Sequence, residues 1–419
     1  MPADIQWIRN HFPSLAHEIN GQPIVFFDAP GGTQVPRTVM QAISDYLLKS
    51  NANSHGAFVT SQQTDALMNT ARHMSAALLG CAADEVVFGA NMTTLTFALS
   101  RAIGRELQPG DEIIVTKLDH YANVSSWQAL AERGVVIHAV GFNPEDCTLN
   151  LAELEQLLNQ RTRLVAVGYA SNAVGTINDV KTIVQMAHQV GALVYVDAVH
   201  YAPHGAIDVH SLDCDFLTCS AYKFFGPHVG ILYGKQEHLT RLSPYKVQPA
   251  PTDVPCRWET GTPNYEGLAG LVESIHYLSD LGYHVCPTSE NHRAAILAAM
   301  AAIQSYEQEL SHVLMAGLLQ IPGLTVYGIT EPDRFHWRTP TVGIRLNGYP
   351  PDKMAKQLGD RGIFTWNGNF YALGVTETLG LESSGGLLRI GLVHYNTIEE
   401  IQCFLKALDE IVAPSTVCA

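Results

Sequence analysis

Two residues near the middle of the chain have the types and the placement of a reactive site. Leu193 to Val196 is an unbroken apolar run that stops at a single acid, Asp197, and continues as Ala198-Val199-His200. The next apolar run begins at Phe216 and ends in Ser220-Ala221-Tyr222-Lys223-Phe224-Phe225-Gly226-Pro227. Open α/β sheets bind ligands at the C-terminal ends of their strands, so this pattern sets a carboxylate and an amine at one sheet edge. A lysine amine condenses with an aldehyde, and a carboxylate can keep a pyridine nitrogen protonated. The pair therefore suits pyridoxal phosphate, although an Asp and a Lys on strand ends are, taken alone, more often a salt bridge or a solvated edge.

Four further segments follow strands or open helices in the order such a site requires. Asn91-Met92-Thr93-Thr94 offers hydroxyls and N–H groups at a helix start, where phosphates bind. Asp119-His120-Tyr121-Ala122-Asn123 brings an imidazole able to stack on a planar ring. Ala170-Ser171-Asn172-Ala173-Val174-Gly175 brings a side-chain amide, and Glu259-Thr260-Gly261-Thr262-Pro263-Asn264 is a loop rich in donors. Taken singly, each is also an ordinary cap, turn or polar loop. Their joint occurrence in chain order favours the cofactor.

The elements that must position these residues alternate. Strands are expected at Glu85–Gly89, Glu112–Lys117, Val135–Gly141, Leu164–Tyr169, Leu193–Asp197, Phe216–Ser220 and Gly230–Tyr233. Helices are expected between them, at Thr93–Glu106, Ser125–Arg133, Leu151–Gln160 and Val180–Val190. Continuous apolar strands separated by amphipathic helices predict a mostly parallel sheet covered on both faces. Two long helices follow, Tyr265–Leu281 and Ser289–Leu319. A second strand set then spans Leu324–Tyr327, Thr341–Leu346, Ile363–Trp366 and Leu388–Val393, and Thr397 caps a last helix to Val412. This predicts an N-terminal segment over residues 1–60 with one helix at Arg37–Lys49, a large α/β domain over 61–285 and a smaller α+β domain over 286–419.

Composition narrows the function. The 419 residues carry 40 Asp plus Glu against 25 Lys plus Arg, a formal charge of -15, which disfavours nucleic acid. No apolar run is long enough to span a bilayer, and the first residues lack a signal-peptide pattern, so a cytoplasmic, membrane-free protein is expected. The eight cysteines show no CxxC or Cys/His ligand spacing, which predicts reduced thiols and no metal site.

The chain from Phe27-Asp28-Ala29-Pro30-Gly31 to Leu388-Arg389-Ile390-Gly391-Leu392-Val393-His394-Tyr395-Asn396-Thr397 resembles the class V aminotransferase family of fold-type-I pyridoxal phosphate enzymes, in its cysteine desulfurase-like branch. The resemblance implies the fold-type-I architecture, a seven-stranded mostly parallel sheet with a smaller α+β domain. It implies Lys223 as the cofactor-binding lysine, Asp197 on the pyridine nitrogen, His120 on the ring, and Asn172 and His200 near the ring oxygen. Thr93, Thr94, Ser220 and Tyr222 would hold the phosphate, with Thr262 reaching the partner's phosphate in a homodimer that shares its active sites. Ala29, Asn172, Tyr371 and Arg389 would meet a small amino-acid substrate, Arg389 gripping its carboxylate through a planar fork.

Three positions depart from the branch. His200 and Tyr222 stand where Gln and His are usual, and both can still hydrogen-bond. Tyr371, in the loop Phe364-Thr365-Trp366-Asn367-Gly368-Asn369-Phe370-Tyr371-Ala372, stands where desulfurases carry the cysteine that accepts sulfur. A phenol cannot carry a sulfane sulfur. The resemblance then favours a C–S lyase acting by β-elimination, with Lys223 moving the Cα proton. An aminotransferase or epimerase of the same family is the alternative, and a non-enzymatic cofactor-binding partner a third. Two alternatives concern sulfur: Cys256 as a substitute carrier, and Tyr371 merely packing with Trp366 and Phe370.

Overall fold

The computed structural model describes residues 5–19 and 21–412, which leaves Cys418 outside the described residues. Seven strands make the larger sheet: β1 (Val86–Gly89), β2 (Glu112–Thr116), β3 (Val136–Val140), β4 (Thr162–Gly168), β5 (Leu193–Asp197), β6 (Phe216–Ser220) and β7 (Gly230–Gly234). All coincide with the expected runs to within a few residues. They lie in the order β1-β7-β6-β5-β4-β2-β3. β7 runs antiparallel to both its neighbours, and the other pairings are parallel.

Successive side chains of a strand point to opposite faces, and here both faces are covered. Val194 and Val196 join one core cluster with Phe88, Val165 and Ile231, whereas Tyr195 joins another with Val87, Ala166 and Leu232. That two-sided burial is why the strands read as unbroken apolar runs. The edge strand β3 alone shows mostly exposed or half-exposed residues.

The helices used below are α1 (Arg37–Lys49), α2 (Val59–Leu79), α3 (Met92–Ile103), α4 (Ala122–Gln128), α5 (Val180–Gln189), α6 (Tyr265–Val285), α7 (His292–Leu318) and α8 (Ile398–Val412). The sequence pattern did not single out α2. Its first turns read Ser61-Gln62-Gln63-Thr64-Asp65, loop-like by composition, and its apolar residues cluster late, at Ala71, Met74, Ala76, Leu78 and Leu79. Packing on α6 and α7 supplies what its own pattern lacks. The expected helix at Ser125–Arg133 is half 3-10, from Ala129 to Arg133.

A second, antiparallel sheet comprises β8 (Leu324–Tyr327), β9 (Thr341–Leu346), β10 (Trp366–Gly368) and β11 (Leu387–Gly391), in the order β8-β9-β11-β10. The single strand expected at Ile363–Trp366 is divided. Ile363–Phe364 pairs in parallel with Val25–Phe26, and Trp366 starts β10 against β11. Val25 and Phe27 bury with Leu310 of α7 and Phe404 of α8, so the segment around the Val25–Phe26 strand contributes to this second core, while Phe26 between them joins the first. α7 itself joins both cores, with Ile296 to Ile303 in the first and Tyr306 to Leu318 in the second. No described helix is long and apolar enough to cross a membrane.

Candidate active site

A cavity of about 840 Å³ opens at the C-terminal edge of the larger sheet. The C-terminal ends of β1, β2, β4, β5 and β6, or the segments that follow them, each send a residue into it, respectively Thr93, His120, Asn172, Asp197 and Lys223. Thr94, His200, Ser220 and Tyr222 line it as well. Its other wall comes from the second sheet and the N-terminal segment, through Arg389, Trp366, Phe370, Tyr371, Pro30 and Gly31. The site is thus built between two cores, where neither sequence half alone could form it.

Asp197 ends β5 opposite Gly168 and Thr218. One of its oxygens accepts the Val199 N–H at 2.9 Å. Burial pushes its carboxyl up to about 6, with the Val199 N–H and Lys223 pulling the other way. Lys223 follows β6 on a single 3-10 turn, donates to the Pro30 carbonyl and lies over the Tyr222 ring at 4.6 Å. Burial pulls its amine down to about 7, and the nearby Arg389 cation adds to the effect while Asp197 and Asp28 oppose it. A neutral amine is therefore within reach at physiological pH, the condition for attack on an aldehyde or for taking a proton.

His120 accepts the Ala122 N–H on Nδ1 at 3.0 Å. Burial, then Lys223 and Arg389, pull its imidazole down to about 4, so it presents a neutral ring. Its loop is fixed by Asp119, whose oxygens accept from Gly168 N at 2.9 Å, Thr116 Oγ1 at 2.7 Å and Asn123 Nδ2 at 2.8 Å. Asn91 caps α3 by accepting the Thr94 N–H at 3.0 Å, and the Thr94 hydroxyl donates to the Asn91 carbonyl at 2.9 Å. Ser220 Oγ accepts from Met92 N at 2.9 Å, tying β6 to the same helix start. These bonds aim the positive end of α3 into the cavity.

Arg389 is buried in β11 without an acidic hydrogen-bond partner among the described residues. One nitrogen donates to the Asn172 carbonyl at 2.9 Å, Nε is unsatisfied, and the Phe370 ring covers the guanidinium at 4.1 Å. Burial pulls it down to about 9, against Asp28 and Tyr222, so it remains a cation at neutral pH. Phe370 and Tyr371 both adopt left-handed backbone angles, φ 56 and 59. Such angles cost a non-glycine residue roughly 1–2 kcal/mol each. The loop is held there by Asn172 Nδ2 donating to the Phe370 carbonyl at 2.9 Å and Tyr121 N donating to the Tyr371 carbonyl at 2.7 Å. Tyr371 itself is 74% exposed, with its ring 5.4 Å from that of His120.

Two residues named from the sequence lie apart from this wall. Ala29 is buried beside Pro30 without lining the cavity, and Thr262 is exposed on the loop before α6. No described cysteine lines the cavity. Cys256 sits beside the Arg72 guanidinium at 3.8 Å, and Arg72 in turn pairs with Glu259 at 2.8 Å. Asp28 went unassigned, although it closes the apolar run Ile24–Phe27 as Asp197 closes its own strand. One Asp28 oxygen is unsatisfied, and burial pushes the carboxyl up to about 6 despite Arg389 and Lys223.

The model of the class-V aminotransferases matches residues 25–404. This chain belongs to the class-V aminotransferase family. Over 428 residues this class-V chain is 33% identical to a cysteine desulfurase of Pectobacterium carotovorum subsp. carotovorum, covering 98% of each chain. It is 30% identical to a probable cysteine desulfurase of Halalkalibacterium halodurans over 96% of this chain and 97% of that one. Among solved structures it is similar to an apo cysteine desulfurase of Thermococcus onnurineus NA1, with a TM-score of 0.84, 27% identity and coverage of 93% and 94%. A cysteine desulfurase of Escherichia coli superposes with a TM-score of 0.84 at 25% identity, over 98% of both chains.

Class-V aminotransferases are pyridoxal phosphate enzymes, and so is this one. The cavity fits that group. It offers a depressed lysine amine, a buried carboxylate with room for a further donor, a capped helix N-terminus with hydroxyls, and orphaned buried atoms at Asn172 Oδ1 and Arg389 Nε.

Proposed function

We propose that this enzyme is a C–S lyase that cleaves L-cysteine or a related small amino acid by β-elimination and forms no persulfide on the protein. The observation that carries the reading is the loop 366–372, which presents Tyr371 to a cavity that no described cysteine lines. The relatives named cysteine desulfurase support chemistry at a cysteine Cβ–S bond.

Lys223 would hold the cofactor, Asp197 would accept a hydrogen bond from its ring nitrogen, and His120 would cover the ring. Asn172 and His200 would flank the ring oxygen. Thr93, Thr94, Ser220 and Tyr222 would surround the phosphate. When bound, pyridoxal phosphate supplies an electron sink for the charge that develops as a Cα–H bond breaks. The Lys223 amine is the base for that proton, because burial already disfavours its charged form. Arg389 would bind the substrate carboxylate with the fork that Phe370 holds flat, and the Tyr371 hydroxyl would face the departing sulfur. The sulfur leaves with the Cβ–S electron pair as sulfide, and water completes pyruvate and ammonia. Thr262, exposed on its own chain, would complete the phosphate site of a second copy in a homodimer.

Incubation with L-cysteine tests the reading: sulfide and pyruvate in equal amounts are expected. Alanine with protein-bound sulfur would make the enzyme a desulfurase instead. Stable conversion of the cofactor to its amine form by added amino acid would make it an aminotransferase.

A further inference from the structure

Asp28 is held by its backbone against both elements that carry the cations of the cavity. The Phe27 carbonyl accepts the Gly391 N–H at 2.9 Å, and Asp28 itself bridges Gly391 in parallel. Gly391 lies two residues beyond Arg389 on β11, hence on the same face of the strand. A Cβ on Gly391 would collide with the Pro30 ring, so the turn that Asp28 opens packs directly on that face. The same turn meets Lys223, whose amine donates to the Pro30 carbonyl. Thr33 fixes the join: its N–H donates to the Tyr222 carbonyl at 3.0 Å, and its hydroxyl accepts the Phe225 N–H at 2.8 Å.

An aspartate at the start of a helical turn ordinarily caps it by accepting an N–H from that turn. Asp28 holds the cap position before the 3-10 turn Ala29–Gly31 and makes no such bond. One of its oxygens is buried without a partner, and its own N–H is the only backbone donor acting on the carboxylate among the described residues. An orphaned buried oxygen weakens a fold, so a local structural role does not account for the residue. Arg389 shows the complementary pattern, a buried cation with Nε orphaned. Asp28 is first among the charges that keep Arg389 protonated, and with Asp197 it does the same for Lys223. The other groups facing Lys223 are the Arg389 cation and the imidazoles of His120 and His200, which burial keeps neutral. Tyr395, just past β11, also faces Asp28, and burial holds its hydroxyl un-ionised.

We propose that Asp28 is the counter-charge of the site, balancing Arg389 and Lys223 through space while it leaves the guanidinium donors free for a substrate carboxylate. Asp28 does not line the cavity. It is a positioning residue that acts through the two cations. Two consequences follow from its sign. The anion keeps the Lys223 amine protonated to a higher pH than burial and Arg389 alone would allow. It also weakens the positive field that Arg389 presents to an incoming carboxylate. With its own carboxyl near about 6, Asp28 is ionised where Lys223 titrates, at about 7.

The inference rests on Arg389 as the carboxylate site, and two measurements keep the two readings apart. In the first, cofactor-free protein is mixed with pyridoxal phosphate, and the rate of capture by the Lys223 amine is followed with pH. Asp28→Asn is expected to lower the midpoint of that profile by about half a pH unit or more. In the second, calorimetry follows the binding of propanoate, a carboxylate without an amine, to the holoenzyme. Asp28→Asn should bind it about threefold more tightly or better, and Arg389→Ala more weakly than wild type. Asp28→Ser, smaller and equally uncharged, should move both readouts in the same directions if the Asn variant folds poorly. A merely structural Asp28 predicts the reverse, weaker propanoate binding and slower capture at every pH about an unmoved midpoint. That outcome, or values equal to wild type in the folded variants, overturns the counter-charge. If Arg389→Ala binds propanoate as wild type does, the reading of Arg389 falls, and the capture midpoint still decides the role of Asp28 toward Lys223.

Discussion

The Phe370 ring lies 4.1 Å from the centre of the Arg389 guanidinium, while the Phe370 carbonyl accepts a hydrogen bond from Asn172. One loop residue thus holds two walls of the site. It covers the cation expected to grip a carboxylate and orients the amide expected beside the cofactor ring. The exposed Tyr371 that follows it is carried to the cavity by the same backbone.

Arg389→Ala should weaken carboxylate substrates by about 2–5 kcal/mol, the cost of leaving a desolvated charge unpaired. Phe370→Leu removes the cation–π face and should cost less, about 0.5–2 kcal/mol. Steady-state kinetics would show both in KM before kcat. An Arg389→Ala enzyme with the wild-type KM would remove Arg389 from substrate binding.

Lys223→Ala should abolish the visible band of lysine-bound cofactor and reduce turnover by at least about a hundredfold, leaving the circular dichroism intact. The wild-type pH profile carries the same residue. The amine acts as a base only when unprotonated, and burial sets its pKa to about 7. Activity should accordingly fall as pH drops below that value and level off above it. A profile flat through neutrality, or an active Lys223→Ala enzyme, would contradict the assignment.

Asp197→Asn keeps the shape of the side chain but no longer favours a protonated ring nitrogen. Retained cofactor with most of the activity lost is expected, measured by absorbance and turnover on the same sample. Turnover near the wild-type rate would leave Asp197 as a structural strand-end acid held by Val199.

Much of this was legible in the chain because the seven strands are buried on both faces and so appear as unbroken apolar runs. Residues at or just past their C-terminal ends, such as Asp197 and Lys223, fall at one edge by the strand pattern alone. What the sequence hid depends on long-range packing. α2 is helical because α6 and α7 cover its late apolar face. Ile363–Trp366 divides between two sheets because Val25–Phe26 captures half of it. Asp28 and Phe370 matter through Arg389, 361 and 19 positions away in the chain respectively, and periodicity holds no record of such a meeting.

Thr262 is exposed on its own chain and outside its own cavity. If it completes the phosphate site of a second copy, the active species is a dimer, and Thr262→Ala should weaken cofactor binding without changing the melting of the cofactor-free protein. Sedimentation together with cofactor titration measures both. Full activity in a stable monomer would exclude a shared site.

Tyr371 and its loop should decide which products leave when L-cysteine is the substrate. The three aromatic residues of that loop do not share one contact: Tyr371 meets His120, Phe370 meets Arg389, and Trp366 borders Gly31, where an added Cβ would collide with its indole nitrogen. Simple packing of a local aromatic cluster therefore fails to explain Tyr371, which stays exposed at the cavity. A phenol there can hydrogen-bond a departing sulfur but cannot keep it. With L-cysteine the wild type should release pyruvate, ammonia and sulfide, and Tyr371→Phe should lower kcat while producing the same mixture. Tyr371→Cys restores a thiol at the position where desulfurases accept sulfur, and should divert part of the flux to alanine with a persulfide trapped on the new residue. Cys256, beside Arg72 and outside the cavity, should carry none in any of these proteins. Alanine from the wild type, with labelled sulfur on Cys256, would return the enzyme to the desulfurases, because transfer of the sulfur to a thiol leaves the carbon skeleton as alanine and the label identifies that thiol.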